Sequence, residues 1–154
     1  MNSYTYEELE VGKKESFSVT VTEEMLDSFK NITGDINPLH NDEGYALEKK
    51  YRGRVAYGML TASFLSTLAG VYLPGKYSLI QSVEIKFAEA VYPGDVLQIT
   101  GEITEKNDTY RLIYVKTAIR NGEGKKVCRG KMQIQILDSV KSFMKDLTHK
   151  DCRR

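Results

Sequence analysis

Between Val55 and Val71 the chain carries no charged residue, and this run of small and apolar side chains limits its fold more than any other feature. A helix that is apolar all round has to be buried on every side. The segment is read as a central helix over residues 58–69, starting at Gly58 and stopping at Gly70, a residue suited to the left-handed position at a helix C-terminus. Leu73-Pro74-Gly75 then turns the chain and the hydrophobic period changes to two. Leu79, Gln81, Val83, Ile85 and Phe87 fall on one face of a long strand, and Ile80, Ser82, Glu84 and Lys86 on the other.

Further strands follow. Pro93-Gly94-Asp95 is a turn, residues 96–105 read as a strand closed by Asn107-Asp108, and residues 110–120 and 126–137 flank the hairpin signal Asn121-Gly122. Upstream, Ser16 to Val21 alternates as a half-buried strand, after residues 4–14, which are polar with few apolar anchors. Thr22 is an N-cap for a helix over about residues 23–32, with Glu23 and Glu24 in its first turn and Met25, Leu26, Phe29 and Ile32 along one face. Asp42 caps a second, short helix through Tyr45, Ala46 and Leu47. One buried helix followed by long antiparallel strands predicts an α+β fold, a curved sheet wrapped around the helix with the helices on one face.

With 154 residues the chain is expected to be a single domain, with a core from about 15 to 137 and a tail from 139 to 154. The tail is basic, and Val140, Phe143, Met144 and Leu147 have helical spacing, which reads as an amphipathic or partly disordered terminal helix. The 22 Lys and Arg against 21 Asp and Glu leave a net charge of +1, which gives no general pull toward nucleic acid or an anionic membrane. No basic and apolar leader and no apolar run near about 18 residues is visible, so a cytoplasmic protein is expected. Cys128 and Cys152 make no CxxC pair and, with His40 and His149, offer no zinc spacing, so free thiols and no metal are expected. The open edges of such a sheet predict a homodimer with the pocket near its interface.

The stretch from Asn31 to Asp42 concentrates the chemistry. Gly34 permits an unusual turn, Pro38 fixes its own φ and biases Asn37 toward an extended conformation, and the stiffened loop holds Asp35 and His40 five residues apart. A carboxylate and an imidazole can move one proton off and another on near neutral pH. The same residue types also make ordinary surface turns, so from the residues alone a proton-transfer site and a structural turn both stand.

Thr33-Gly34-Asp35-Ile36-Asn37-Pro38-Leu39-His40, followed by Ala46, resembles the hydratase motif of the MaoC-like, (R)-specific enoyl-CoA hydratase family. The likeness extends to Val55-Ala56-Tyr57-Gly58-Met59-Leu60, to Leu73-Pro74-Gly75, and to Phe87 through Val91-Tyr92-Pro93-Gly94-Asp95. It implies the hotdog fold, a dimer, a place in fatty acid metabolism, and reversible addition of water to a trans-2-enoyl thioester to give an (R)-3-hydroxyacyl thioester. No cofactor is implied beyond the coenzyme A or acyl carrier protein that bears the substrate. Asp35 and His40 carry over as the catalytic pair, Asp35 as base and His40 orienting the water and delivering the proton. Asn37 would hold the loop by side-chain to backbone bonds.

By the same resemblance the N–H of Gly58 meets the charge that grows on the thioester oxygen, although a glycine at a helix start also serves plain packing. Ser66, two helical turns on, matches a family serine near the carboxylate, with Ser63 the lesser choice. Tyr57 and Met59, on either side of Gly58, would shape the site, and Tyr57 stands where many relatives have His. Arg52, Arg54, Lys76 and Lys86 are candidates for the carrier's phosphates as well as ordinary solvated charges. Two other functions fit such a chain, a hotdog thioesterase and a non-catalytic module that binds acyl thioesters. A thioesterase of this fold commonly has a carboxylate on the central helix, and residues 58–69 contain none.

Overall fold

A computed structural model describes residues 1–138. The expected tail helix, with His149 and Cys152, lies outside the described residues. In chain order the elements are β1 (Lys14–Thr20), α1 (Glu23–Thr33), α2 (Pro38–Asn41), α3 (Glu43–Glu48), α4 (Gly58–Thr67), β2 (Ser78–Phe87), β3 (Val96–Asn107), β4 (Leu112–Arg120) and β5 (Lys126–Ile136). Two predicted caps form as read: Thr22 accepts from the Met25 N–H and Asp42 from the Tyr45 N–H.

The strands make one antiparallel sheet in the order β1-β3-β4-β5-β2, so β1 and β2 are its edges. Its inner face carries Leu97, Ile99, Ile103, Ile113, Val115, Ile119, Met132 and Ile134, all buried. Leu60 and Leu65 of α4, with Leu68 just beyond it, join the same core. The approach is tight at Gly101 of β3. A Cβ placed there would stand 2.9 Å from Leu68 Cδ2 and 3.0 Å from Val115 Cγ1, so the helix end reaches the sheet only because this residue has no side chain. On the outer face charged residues take the alternate positions, among them Lys14 opposite Glu102, Glu102 opposite Lys116, and Lys131 opposite Glu84.

The structure departs from the sequence reading at several points. α4 is not covered all round: Met59 is 63% exposed, and Ser63 and Ser66 lie on the same uncovered strip, because one sheet can cover one side of a helix. The helix does not stop at Gly70 in a left-handed conformation. It runs on as a wide π-helical turn, Leu68–Tyr72, that keeps Leu68 and Ala69 buried, and the glycine with positive φ is Gly75, at 87°.

In β2 the pairing register shifts between Ile80 and Ser82, which puts Ile80 (opposite Ile134), Val83 (opposite Met132) and Phe87 (opposite Cys128) on the inner face and leaves Leu79 outside. The extra residue, Gln81, is held by side-chain bonds to Gln133 and Gln135. Ile32 is exposed because the last turn of α1 runs past the core. Residues 4–14 hold more anchors than expected: Tyr6 and Leu9 are buried, and the Tyr6 hydroxyl donates to Asp108 at 2.7 Å. The β4–β5 hairpin closes through residues 121–125, with Gly124 at φ 77° and the Asn121 side chain accepting from the Glu123 and Lys125 N–H groups.

The contact at Gly101 gives a direct test of the packing. Gly101→Val should cost about 1–3 kcal/mol through overpacking. Urea denaturation reads this as a lower midpoint at unchanged slope, and an unshifted midpoint would show that α4 and the sheet have room to spare.

Candidate active site

α1 ends where Gly34 turns left-handed, at φ 73°, and returns its N–H to the Lys30 carbonyl. The loop that follows is held by its own polar groups. Asn37 caps α2, its Oδ1 accepting from the Leu39 N–H at 2.9 Å, and Pro38 occupies the first turn, where no backbone donor is needed. Asp35 Oδ1 accepts from the Asn37 N–H at 3.0 Å, while its Oδ2 makes no hydrogen bond among the described residues. The loop-holding role expected of Asn37 is thus seen as a cap bond.

His40 leaves α2 with Nδ1 2.7 Å from the Val55 carbonyl oxygen. A carbonyl can only accept, so Nδ1 carries the proton, and in the neutral ring Nε2 is an acceptor. Arg54 fastens the same turn from behind. Its Nε donates to the His40 carbonyl at 2.8 Å, and its guanidinium pairs with Glu23 at 2.6 Å and Asp27 at 3.1 Å on α1. Its charge is therefore engaged within the chain. Arg52 is likewise held, 3.1 Å from Asp95 and over the Tyr92 ring, and Lys76 stands over Tyr77.

Tyr57 is the residue on which both members of the pair rest. It is only 2% exposed, its hydroxyl donates to the Asp35 carbonyl at 2.7 Å, and its ring centroid lies 4.2 Å from that of His40. Asn41 Nδ2 completes the arrangement with bonds of 3.0 Å to the Tyr57 hydroxyl and 2.9 Å to the Asn37 carbonyl. Tyr57 lines a cleft beside Gly58, as expected, while its polar tip points back into the loop. Asn41 was not foreseen, since its neighbours in sequence say nothing of a buried hydroxyl sixteen residues on.

Asp35, His40, Tyr57, Gly58 and Met59 line one cleft of about 460 Å³ together with Phe29 and Phe87. A second cleft of about 510 Å³ shares His40, Gly58 and Phe87 and continues past Val55, Thr61 and Tyr92. The two meet at the start of α4, where Tyr57 supplies no side-chain cap and the first N–H groups have no partner within the helix. Gly58 is closely faced, a Cβ there falling 3.3 Å from the Phe87 ring. Ser66 lines neither cleft, being two turns and about 12 Å along α4 from Gly58. The fold thus brings together Asp35, His40, Gly58, Tyr57 and Met59 and leaves Ser66 on the uncovered strip. Among the described residues no three His, Cys, Asp or Glu side chains gather as a metal site.

A sheet wrapped on one helix, with a carboxylate and an imidazole facing an open helix N-terminus, defines a hotdog-fold protein of the hydratase kind. Residues 8–124 match the model of the MaoC like domain, and the chain belongs to that family. An (R)-specific enoyl-CoA hydratase of Rhodospirillum rubrum is 28% identical over 85% of this chain and 90% of its own. A 3-hydroxybutyryl-CoA dehydratase of Methylorubrum extorquens is 33% identical over 65% of this chain and 64% of its own length. The unliganded structure of an R-hydratase from Pseudomonas aeruginosa superposes with a TM-score of 0.82 at 31% identity, covering 88% of this chain and 86% of that one.

The Tyr57 hydroxyl is separable from the ring. Tyr57→Phe keeps the tilted ring contact with His40 and leaves the Asp35 carbonyl without the tyrosine donor, a loss of about 1–3 kcal/mol of local stability. Amide hydrogen exchange at Asn37 and Leu39, whose N–H groups are bonded within the loop, should accelerate; exchange as slow as in the wild type would mean that the loop stands without the hydroxyl.

Proposed function

We propose that the protein is an (R)-specific hydratase and dehydratase that interconverts trans-2-enoyl thioesters and (R)-3-hydroxyacyl thioesters by reversible addition of water. The observation that carries this reading is the single cleft that holds Asp35, His40 and the start of α4 together. The names of the relatives, two of them acting on coenzyme A thioesters, support it.

In this reading the thioester oxygen lies at the Gly58 N–H, where the helix N-terminus opposes the charge that grows as water adds. A water molecule lies between the Asp35 carboxylate and His40 Nε2, both acceptors, and so presents its oxygen lone pair to C3. As the C3–O bond forms, one O–H bond breaks and its proton passes to the pair. The electron pair of the C2–C3 double bond moves toward the carbonyl, and the C2–H bond forms as the pair returns a proton. With Nδ1–H fixed on Val55, the neutral His40 has to take a proton before it can give one. In this proposal His40 takes the base role within the pair in place of Asp35, which holds the water and balances the charged imidazole. Dehydration is the reverse path.

Met59 at 63%, Phe87 at 51% and Val83 at 44% exposure form an apolar strip beside the cleft, next to the free edge of β2. A second copy of the chain covering this strip would exclude water from the pair, and a homodimer is part of the proposal. The cytosolic location expected from the sequence also stays within it; among the described residues no helix is long and apolar enough to cross a membrane.

Asp35→Asn and His40→Ala should each lower hydration of a short enoyl-CoA by roughly 10²–10⁴-fold, the usual contribution of a proton-transfer group. The assay follows loss of the conjugated enoyl absorbance, with circular dichroism to check folding. A folded variant of either kind with wild-type turnover would remove that residue from the reaction. For the assembly, sedimentation at micromolar concentration should give a dimer, and Val83→Glu should shift it toward monomer with loss of activity; a wild-type protein that sediments only as monomer excludes the dimeric arrangement.

A further inference from the structure

α4 holds a polar group that the proposed chemistry does not use. Thr61 lies one turn into the helix, on its buried side, and only 3% of it is exposed, yet its hydroxyl makes no hydrogen bond among the described residues. Other helical hydroxyls of the chain behave differently. Ser63 donates to the Leu60 carbonyl at 2.6 Å and Thr33 to the Phe29 carbonyl at 2.8 Å, the ordinary way for such a side chain to satisfy itself in a helix. The carbonyl one turn back from Thr61, that of Tyr57, receives the Thr61 N–H at 3.1 Å and not the hydroxyl.

The hydroxyl is not sealed in. Among the described residues the buried side-chain atoms left without a partner are Asn41 Oδ1 and Arg111 Nε, so the Thr61 oxygen, which also has none, is part of the small surface that the residue keeps. That surface belongs to the second cleft, which Thr61 lines together with His40 and Gly58. An unpaired hydroxyl in a buried position is unfavourable, and valine would fill the same volume without it. The missing partner is therefore sought in what the cleft binds.

The place of Thr61 along α4 indicates which atom that is. Residues three apart share one face of a helix, and Thr61 is three on from Gly58, a rise of about 4.5 Å. The Cα–Cβ bond of a helical residue leans toward the N-terminus, which turns the Thr61 side chain back toward Gly58. The unpaired Gly58 N–H and the Thr61 hydroxyl thus approach, from one side, the point where the two clefts meet. Val55, Ala56, Val91 and Val127 wall the same cleft and are all buried. In apolar surroundings a fixed donor acts on a charge more strongly than it would in water.

We propose that the Thr61 hydroxyl is a second donor to the thioester oxygen, beside the Gly58 N–H, and so a catalytic residue of this chain. The assignment rests on the hydratase reading and adds to it. A hydroxyl rotates about its C–O bond, so it can follow the oxygen as the charge there grows. Its hydrogen bond strengthens as the C2–C3 electron pair moves toward the carbonyl, and no bond of Thr61 is made or broken.

Thr61→Val keeps the shape of the side chain and removes the hydroxyl. It should lower kcat for a short enoyl-CoA by roughly 10²-fold, the loss of one such donor, with KM within about twofold of wild type, as for an interaction made in the transition state. Thr61→Ser keeps a hydroxyl and should recover most of that loss. The melting temperature of Thr61→Val should equal or exceed that of the wild type, because a methyl group has replaced an unpaired hydroxyl. The second arm needs no turnover. The infrared stretch of an isotope-labelled thioester carbonyl, in enoyl-CoA bound to the His40→Ala protein, should lie below that of free enoyl-CoA, and the shift should shrink when Thr61→Val is added. Wild-type kcat in Thr61→Val, a raised KM with kcat kept, a loss in Thr61→Ser as large as in Thr61→Val, or a carbonyl stretch indifferent to Thr61 overturns the assignment. If the wild type hydrates no enoyl-CoA but the stretch depends on Thr61, the hydratase reading fails and the donor stands. If it hydrates enoyl-CoA and Thr61→Val changes neither rate nor stretch, the donor fails and the hydratase reading stands.

Discussion

The contact between α4 and the inner face of the sheet is the constraint on which the rest depends. At Gly101 the sheet has no side chain to give up, and Leu68 and Val115 already occupy the space around it. The helix end is fixed there, so its other end is fixed as well, and Gly58 is delivered without a side-chain cap to the place where the two clefts meet. A rigid core of this kind holds a helix N-terminus in position before any ligand arrives, which is the condition for a preorganised donor.

The loop with Asp35 and His40 is positioned by different means. It makes little use of apolar burial, since the residues from Asn31 to Pro38 are exposed in the isolated chain. It depends on directional bonds: the Asn37 cap, the Asp35 turn, Arg54 on the His40 carbonyl, and the Tyr57 hydroxyl on the Asp35 carbonyl. All four act on backbone groups or receive from them, so Asp35 Oδ2 and His40 Nε2 remain available to the cleft. The one that comes from the core, Tyr57, ties the loop to the start of α4.

Much of this was legible in the sequence because it is encoded locally. The caps Thr22 and Asp42, the turn at Gly34 and the stiff Asn37-Pro38 step each depend on neighbours a few residues away, and each formed as read. What failed depended on distance. That Tyr57 would turn its hydroxyl inward, that Arg54 would be consumed by α1 and His40, and that Ser66 would lie on an uncovered strip are decided by packing between elements far apart in the chain. The register shift in β2 is a second kind of failure, because alternation alone cannot reveal one residue too many.

That surplus residue works as a phase switch. Up to Ile80 the strand follows one alternation, and beyond Gln81 it follows the opposite one, so the order in which Lys86 and Phe87 face out and in is set not by either residue but by the irregularity five positions earlier. Removing Gln81 would only restore regular pairing, with Ser82 still opposite Gln133 and Val83 opposite Met132; keeping it but pairing it in regular alternation would exchange the two surfaces at the far end, setting a lysine against Gly58 and a phenyl ring among the charged residues of the outer face. The identity of both surfaces is stored in the bulge as much as in the letters of the strand.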